Sequence, residues 1–201
     1  MSEPRLTVLR AADRKPSRWK NGGGMTTEIA VSPEGASLES FDWRVSSATL
    51  EADGPFSLFP GVDRLCAILA GAVSLRVGDA KPVALDTTSP PFCFPGDVPT
   101  HAQVLHGPVN DLNVFVRRGC VTGSIERFEW SDELVLQTAP GIALLLARTA
   151  GITLTCGPAK VAGLMVDDVV RICTTSDATL KLNVRDVSIA FLARLGDLRP
   201  Q

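Results

Sequence analysis

The sequence has little of what most metal, nucleic-acid and membrane chemistry requires. Only two histidines occur in its 201 residues, His101 and His106. They are not spaced as H-x-H or H-x-x-x-H, so no strand or helix carries a ready pair of imidazole ligands. Charge of one sign is not in surplus either, since 20 Lys and Arg stand against 22 Asp and Glu. No stretch gathers enough basic side chains to hold a polyanion, Arg117-Arg118 being too short, so no nucleic-acid partner is expected. The longest purely apolar run, residues 142–147, falls far short of the roughly 20 needed to cross a bilayer as a helix. Residues 1–20 are polar and charged, with no signal-peptide core, which leaves the cytoplasm as the default compartment and no membrane as a partner. Five cysteines form no C-x-x-C, and an odd, irregular set reads as reduced core residues. Neither a G-x-S-x-G elbow nor a P-loop is present.

What is there has the texture of an all-β chain. Seventeen Gly and fourteen Pro are scattered along the whole length and cut it into short segments. Several segments alternate: Phe41, Trp43 and Val45 oppose Asp42, Arg44 and Ser46, while Leu112, Val114 and Val116 oppose Asn113, Phe115 and Arg117. Leu180, Leu182 and Val184 oppose Lys181, Asn183 and Arg185 in the same way. Residues 64–70, apolar after Arg64 itself, and residues 142–147 are strand-length apolar runs, as suits strands covered on both faces. Helix is expected only for a turn or two, at residues 14–19 and 130–134.

The two halves also resemble each other. Ala67-Ile68-Leu69-Ala70 matches Leu144-Leu145-Leu146-Ala147, and Leu112-Asn113-Val114-Phe115 matches Ile189-Ala190-Phe191-Leu192, at one near-constant offset. A duplication of two β-barrels or sandwiches follows, with the join near residues 119–132. The polar residues are not duplicated: the second half puts aliphatic side chains where the first has Arg64 or Asn113. A pocket in the first barrel, with the second as a packing partner, is the economical reading.

The most unusual stretch is Trp19-Lys20-Asn21-Gly22-Gly23-Gly24. Three consecutive glycines imply a positive φ or a very close backbone approach. The bland reading is a strained turn before a strand over residues 25–31; the functional one is an anion-binding corner of exposed amides with Lys20 and Asn21. Arg44 and Arg64, near the openings of apolar strands, add bidentate donors for a carboxylate. Cys93, between Phe92 and Phe94, reads as buried and inert.

These motifs together spell a family. Trp19-Lys20-Asn21-Gly22-Gly23-Gly24, Phe41-Asp42-Trp43-Arg44-Val45-Ser46, the run from Gly54-Pro55-Phe56 to Val62-Asp63-Arg64, Phe94-Pro95-Gly96-Asp97, and Asp111-Leu112-Asn113 with Arg117-Arg118-Gly119 resemble the HutD/Ves family. The resemblance implies an RmlC-like bicupin: two jelly-roll barrels, residues 1–119 carrying the pocket and 120–201 a degenerate copy, packed as one unit and free to exchange strands. It implies a bacterial cytoplasmic protein associated with histidine utilisation that binds a small acidic metabolite such as formylglutamate or urocanate and has a regulatory or accessory role. Expected ligand-binding residues are Trp19, Lys20, Asn21, Glu28, Arg44, Ser46, Ser57, Asp63, Arg64 and Asn113. No metal or cofactor is expected, because metal cupins use an H-x-H set that the region around Ser57 and Arg64 lacks. The alternative is a metal-independent isomerase or hydrolase with Glu28, Asp63 or Asp97 as acid or base. A homodimer is left open.

Overall fold

The computed structural model describes residues 3–19 and 23–198. Its strands, in chain order, are β1 (Arg5–Leu9), β2 (Pro16–Arg18), β3 (Gly24–Ser32), β4 (Trp43–Leu50), β5 (Gly54–Pro55), β6 (Val62–Val77), β7 (Val83–Asp86), β8 (Phe92–Pro95) and β9 (Thr100–Arg117). The second half supplies β10 (Val121–Trp130), β11 (Glu133–Thr138), β12 (Gly141–Ala147), β13 (Ile152–Cys156), β14 (Ala159–Leu164), β15 (Val169–Thr174), β16 (Ala178–Asn183) and β17 (Ser188–Asp197). Among the described residues the only helix is a 3-10 turn at Ala11–Asp13. The chain is thus all-β, and it folds as a bicupin of two jelly-roll units related by the duplication.

The two turns of helix expected from the sequence are absent. Pro16–Arg18 is instead an edge strand on β3, where Pro16 pairs with Thr27, an edge being where proline's missing donor costs least. Residues 130–134 hold the end of β10, a turn at Asp132 with positive φ, and the start of β11.

One unit comprises residues 14–122, joined by Leu198. Its sheet runs β2-β3-β4-β9-β6-β7, with β5 on β9 and β8 on β6. The long β6–β9 pair shifts register three times between Ile68 and Val73, and such irregularities let a long ribbon bend. Gly71 lies in that stretch with φ +78, where an added Cβ would sit 2.6 Å from the His106 carbonyl oxygen and 2.7 Å from that of Pro108. Only glycine fits there.

The other unit comprises residues 123–197 together with the N-terminal segment up to residue 13. A cut at residue 119 would leave that segment with the first barrel, but β1 pairs along its whole length with β15. Asp168, only 2 % exposed, holds it further: its carboxylate accepts from Arg10 Nη1 at 2.7 Å, the Ala11 amide at 2.9 Å and the Met165 amide at 3.0 Å. The sheets here are β1-β15-β12-β17-β10 and β11-β16-β13-β14. Leu145, Leu154, Leu180, Leu182 and Leu192 are fully buried in one continuous core, each contributing about 1.5–3 kcal/mol by leaving water.

Of the cysteines, Cys66 and Cys156 are buried, Cys120 and Cys173 intermediate, and Cys93 exposed. The expectation for Cys93 fails because alternation on β8 turns Phe94 inward and Cys93 outward.

Candidate functional site

The registers of β3, β4, β9 and β6 build the site. Three neighbouring rungs, read across the sheet, are Thr26-Ala48-Asp111-Ile68, Glu28-Ser46-Asn113-Cys66 and Arg44-Phe115-Arg64. Each rung lies two residues from the next along its strands, so all of them face the same way, into the barrel. All of their residues but Ile68 and Cys66, together with Lys15, Ser17, Arg18 and Trp19 from the β2 end and Phe56, Ser57 and Phe59 from the segment after β5, line a cavity of about 740 Å³. That is the size range of small-molecule pockets.

Arg64 dominates its chemistry. The side chain is 5 % exposed, and its guanidinium lies 4.5 Å from the Phe56 ring centre, 4.9 Å from Phe115 and 5.0 Å from Phe94. Aromatic faces attract the cation but cannot accept its N–H groups in the plane of the fork. Nη2 donates to Asn113 Oδ1 at 3.1 Å, and the buried Nε has no partner. Among the described residues no carboxylate comes within 4.0 Å of it. Burial accordingly draws its pKa down, with Cys66 and Asp111 acting the other way.

Asn113 passes the chain on, its Nδ2 donating to Asp111 Oδ1 at 2.6 Å. The same oxygen accepts the Ala48 amide at 3.1 Å. Burial pushes Asp111 up to about 6, against the pull of Arg64 and these donors. Cys66, whose Sγ lies 3.8 Å from Asp111 Oδ2, is raised well above a normal thiol by burial and then by Asp111. Arg44, in contrast, is satisfied: its Nε donates to Glu28 Oε2 at 2.9 Å and Nη1 to Ser46 Oγ at 3.4 Å. Trp19 closes one wall, its Nε1 donating to Thr26 Oγ1 at 2.6 Å. Its ring packs over Gly24, where any Cβ would collide with the Thr49 carbonyl oxygen, which accounts for one glycine of the triplet.

Of the ten residues expected from sequence, Trp19, Glu28, Arg44, Ser46, Ser57, Arg64 and Asn113 line this cavity. Lys20 and Asn21 lie outside the described residues. Asp63 is not part of the lining: it neighbours Arg64 on β6, so the pleat turns it to the opposite face, where it accepts from Arg118 Nε at 2.7 Å. Asp97 is held by the same arginine, Nη2 to Oδ1 at 2.7 Å, which lowers it to about 2. Neither is available as an acid or base in the pocket. Sequence reasoning misses Asp111 and Phe115, although both share the parity of Asn113 on β9. It also misses Arg18, which the pattern places in a turn of helix.

The pocket's donor set does not suit a transition metal. Neither histidine lines it, Glu28 is committed to Arg44, and Asp111, with Oδ1 held by two N–H donors, leaves one carboxylate oxygen, too few ligands for an ion. Among the described residues no three His, Cys, Asp or Glu side chains come together to hold an ion.

The HutD family model matches residues 11–191. The chain belongs to the HutD family. Among HutD relatives, an uncharacterized 21.2 kDa protein in the hutC 3′ region of Pseudomonas putida is 29% identical over 180 residues, covering 90% of this chain and 93% of that one. Protein Ves of Citrobacter koseri is 37% identical over 101 residues, which is 50% of this chain and 52% of Ves, so that match spans about half of either protein. The crystal structure of a conserved protein of unknown function from Pseudomonas aeruginosa PAO1 superposes with TM-score 0.89 at 27% identity, covering 95% of this chain and 98% of the other. HutD from Pseudomonas fluorescens SBW25, solved in a formate condition, gives 0.82 at 23% identity, with 98% and 100% covered. Among the described residues no helix is long and apolar enough to cross a membrane.

Proposed function

We propose that the first barrel is a receptor pocket for a small organic acid, and that this HutD-family chain is a ligand-binding accessory or regulatory protein of histidine utilisation. The observation that carries the reading is Arg64: a guanidinium 5 % exposed at a cavity wall, with no carboxylate in pairing distance among the described residues and a buried Nε without an acceptor. An unpaired buried cation is costly, and a ligand carboxylate, able to accept two parallel N–H groups, relieves that cost. The pathway comes from the relatives alone: HutD of P. fluorescens and the P. putida protein named for the hutC region. Acids of that pathway, formylglutamate and urocanate, are the candidates.

The test is a thermal-shift and calorimetric screen with formylglutamate, urocanate, glutamate and histidine. A ligand present at about 100 times its Kd raises stability by about 2.7 kcal/mol, easily read as a shift in melting temperature. Arg64→Met should weaken the acid by roughly 2–5 kcal/mol while the chain still folds, since Met keeps much of the apolar stem. An Arg64→Met protein that binds as the parent does would overturn the reading.

A second reading, a metal-independent enzyme, is favoured by one observation: Asp111 titrates near 6 within the pocket, close to where a general acid or base works best. Proton NMR of each acid incubated with the protein separates the two, since a receptor returns the acid unchanged.

A further inference from the structure

We infer that Asp111 is the specificity-determining residue of this pocket: its Oδ2 accepts a hydrogen bond from a ligand N–H, so that the site takes small carboxylates bearing an amide or amine nitrogen in preference to acids of the same shape without one. The inference rests on the carboxylate reading of Arg64.

Asp111 is 2 % exposed yet belongs to the cavity wall. Its two oxygens are treated differently. Oδ1 takes both strong donors, the Ala48 amide at 3.1 Å and Asn113 Nδ2 at 2.6 Å. Oδ2 has only the Cys66 thiol at 3.8 Å, the weakest donor among common side chains. A carboxylate oxygen has room for two good hydrogen bonds, and one buried without them carries a desolvation cost that a ligand donor removes. The duplicated strand shows that the barrel does not need a charge here, since the counterpart of Asp111 on β17 is Ser188, buried with its hydroxyl donating to the Asp186 carbonyl oxygen, and the next inward residues are Ala190 and Leu192.

The spacing fits as well. Arg64 and Asp111 are bridged by one side-chain amide, Arg64 Nη2 bonding Asn113 Oδ1 and Asn113 Nδ2 bonding Asp111 Oδ1. A ligand lying alongside Asn113, with its carboxylate on Arg64, presents a nitrogen a few bonds away to Oδ2, as an amino or acylamino acid does. The charged and titratable neighbours of Asp111 are Arg64 and Cys66 from β6; β4 contributes Ser46 and Ala48, Glu28 of β3 is paired with Arg44, and Lys15 and Arg18, at the β2 end of the same cavity, stay cationic around pH 6. Among the described residues no histidine shares the space, so a response near pH 6 belongs to Asp111.

The experiment compares N-formylglutamate with 2-(formyloxy)glutarate, the ester in which oxygen replaces the N–H, by calorimetry on the full chain. The parent should prefer the amide by at least about tenfold, because the ester sets an oxygen against the carboxylate. In Asp111→Asn the Ala48 and Asn113 donors hold the amide oxygen in the Oδ1 place and put an NH2 where Oδ2 was. The preference should fall to parity or reverse, while Arg64→Met should weaken both acids alike. On the unmodified protein the amide-to-ester ratio should rise between pH 5 and pH 8 as Asp111 ionises, which needs no variant. Equal affinity of the parent for the two acids, or a ratio unmoved by both pH and Asp111→Asn, overturns the role of Asp111 and leaves that of Arg64 standing. Failure of both acids to bind at millimolar concentration overturns both.

Discussion

The same duplicated strands carry opposite interiors in the two barrels. On β6 and β9 the inward row reads Arg64, Cys66, Ile68 and Asp111, Asn113, Phe115, and a cavity of about 740 Å³ opens in front of it. On β12 and β17 the inward row is Ala143, Leu145, Ala147 and Ser188, Ala190, Leu192, uncharged throughout, with the Ser188 hydroxyl closed on the Asp186 carbonyl oxygen and the rest packed against Ile152, Leu154 and Leu180. The second interior shows what the fold needs for stability, which is close-packed aliphatic volume. By difference, the polar residues of the first are a cost carried for some other end. A guanidinium and a carboxylate bridged by one asparagine make sense if a ligand completes them.

The comparison breaks most easily where a charge enters the apolar barrel. Leu145→Asp should cost more than about 4 kcal/mol, the combined effect of an unpaired buried charge and a lost aliphatic side chain, and urea denaturation or simple insolubility reads it. Arg64→Met is the mirror change in the first barrel. It should leave the urea midpoint equal to the parent's or higher, because an apolar side chain replaces an unpaired buried cation, even as the acid is lost. A first barrel that unfolds in the Arg64→Met variant would make Arg64 a structural residue and erase the contrast between the barrels.

Much of that contrast is legible in the sequence, for a physical reason. Strand alternation is local, so Arg44 and Ser46 can be set on one face and Trp43 and Val45 on the other before any coordinates. The duplication is legible because each copy keeps its apolar rows. What escapes depends on pairing between distant strands. Asp111 acquires its meaning from lying between Ala48 and Ile68 on a rung, and nothing local marks it except its two-residue spacing from Asn113. Asp63 misleads through mere adjacency to Arg64, although the same alternation that succeeds elsewhere sends it to the other face. The membership of β1 in the second barrel is hidden too, since it rests on pairing with β15 at the far end of the chain.

A pH titration sharpens the comparison at Asp111. Its folded pKa, raised to about 6 by burial, lies above the ordinary carboxylate value, so folding favours the protonated form. The stability this contributes is complete below about pH 4 and is lost as pH rises through about 6. The loss is on the order of 3 kcal/mol at most. Since other carboxylates titrate in the same range, the informative quantity is the difference between the parent and Asp111→Asn, followed by urea denaturation from pH 4 to 8. That difference should move in favour of the asparagine variant as pH rises. A difference flat across the window would mean that Asp111 ionises as freely as a surface acid, and the first interior would be less costly than argued.

The smallest effect concerns the mouth of the pocket. Arg44 is 11% exposed and bound to Glu28, which is 48% exposed. An ion pair with one partner so open to water contributes about 0–1 kcal/mol. Glu28 also adds negative charge to a wall that is to receive an acid. Glu28→Gln keeps an oxygen that can accept from Arg44 Nε, but it removes the charge, so Arg44 becomes a further uncompensated cation on a wall that already carries Lys15, Arg18 and Arg64. Acid affinity should rise by up to about fivefold, the equivalent of about 1 kcal/mol, with the larger gain at low ionic strength where screening is weak. Stability should change little. If Glu28→Gln instead weakens the acid, Glu28 serves to aim Arg44 rather than to compete for it, and the two arginines then act as one pre-set clamp.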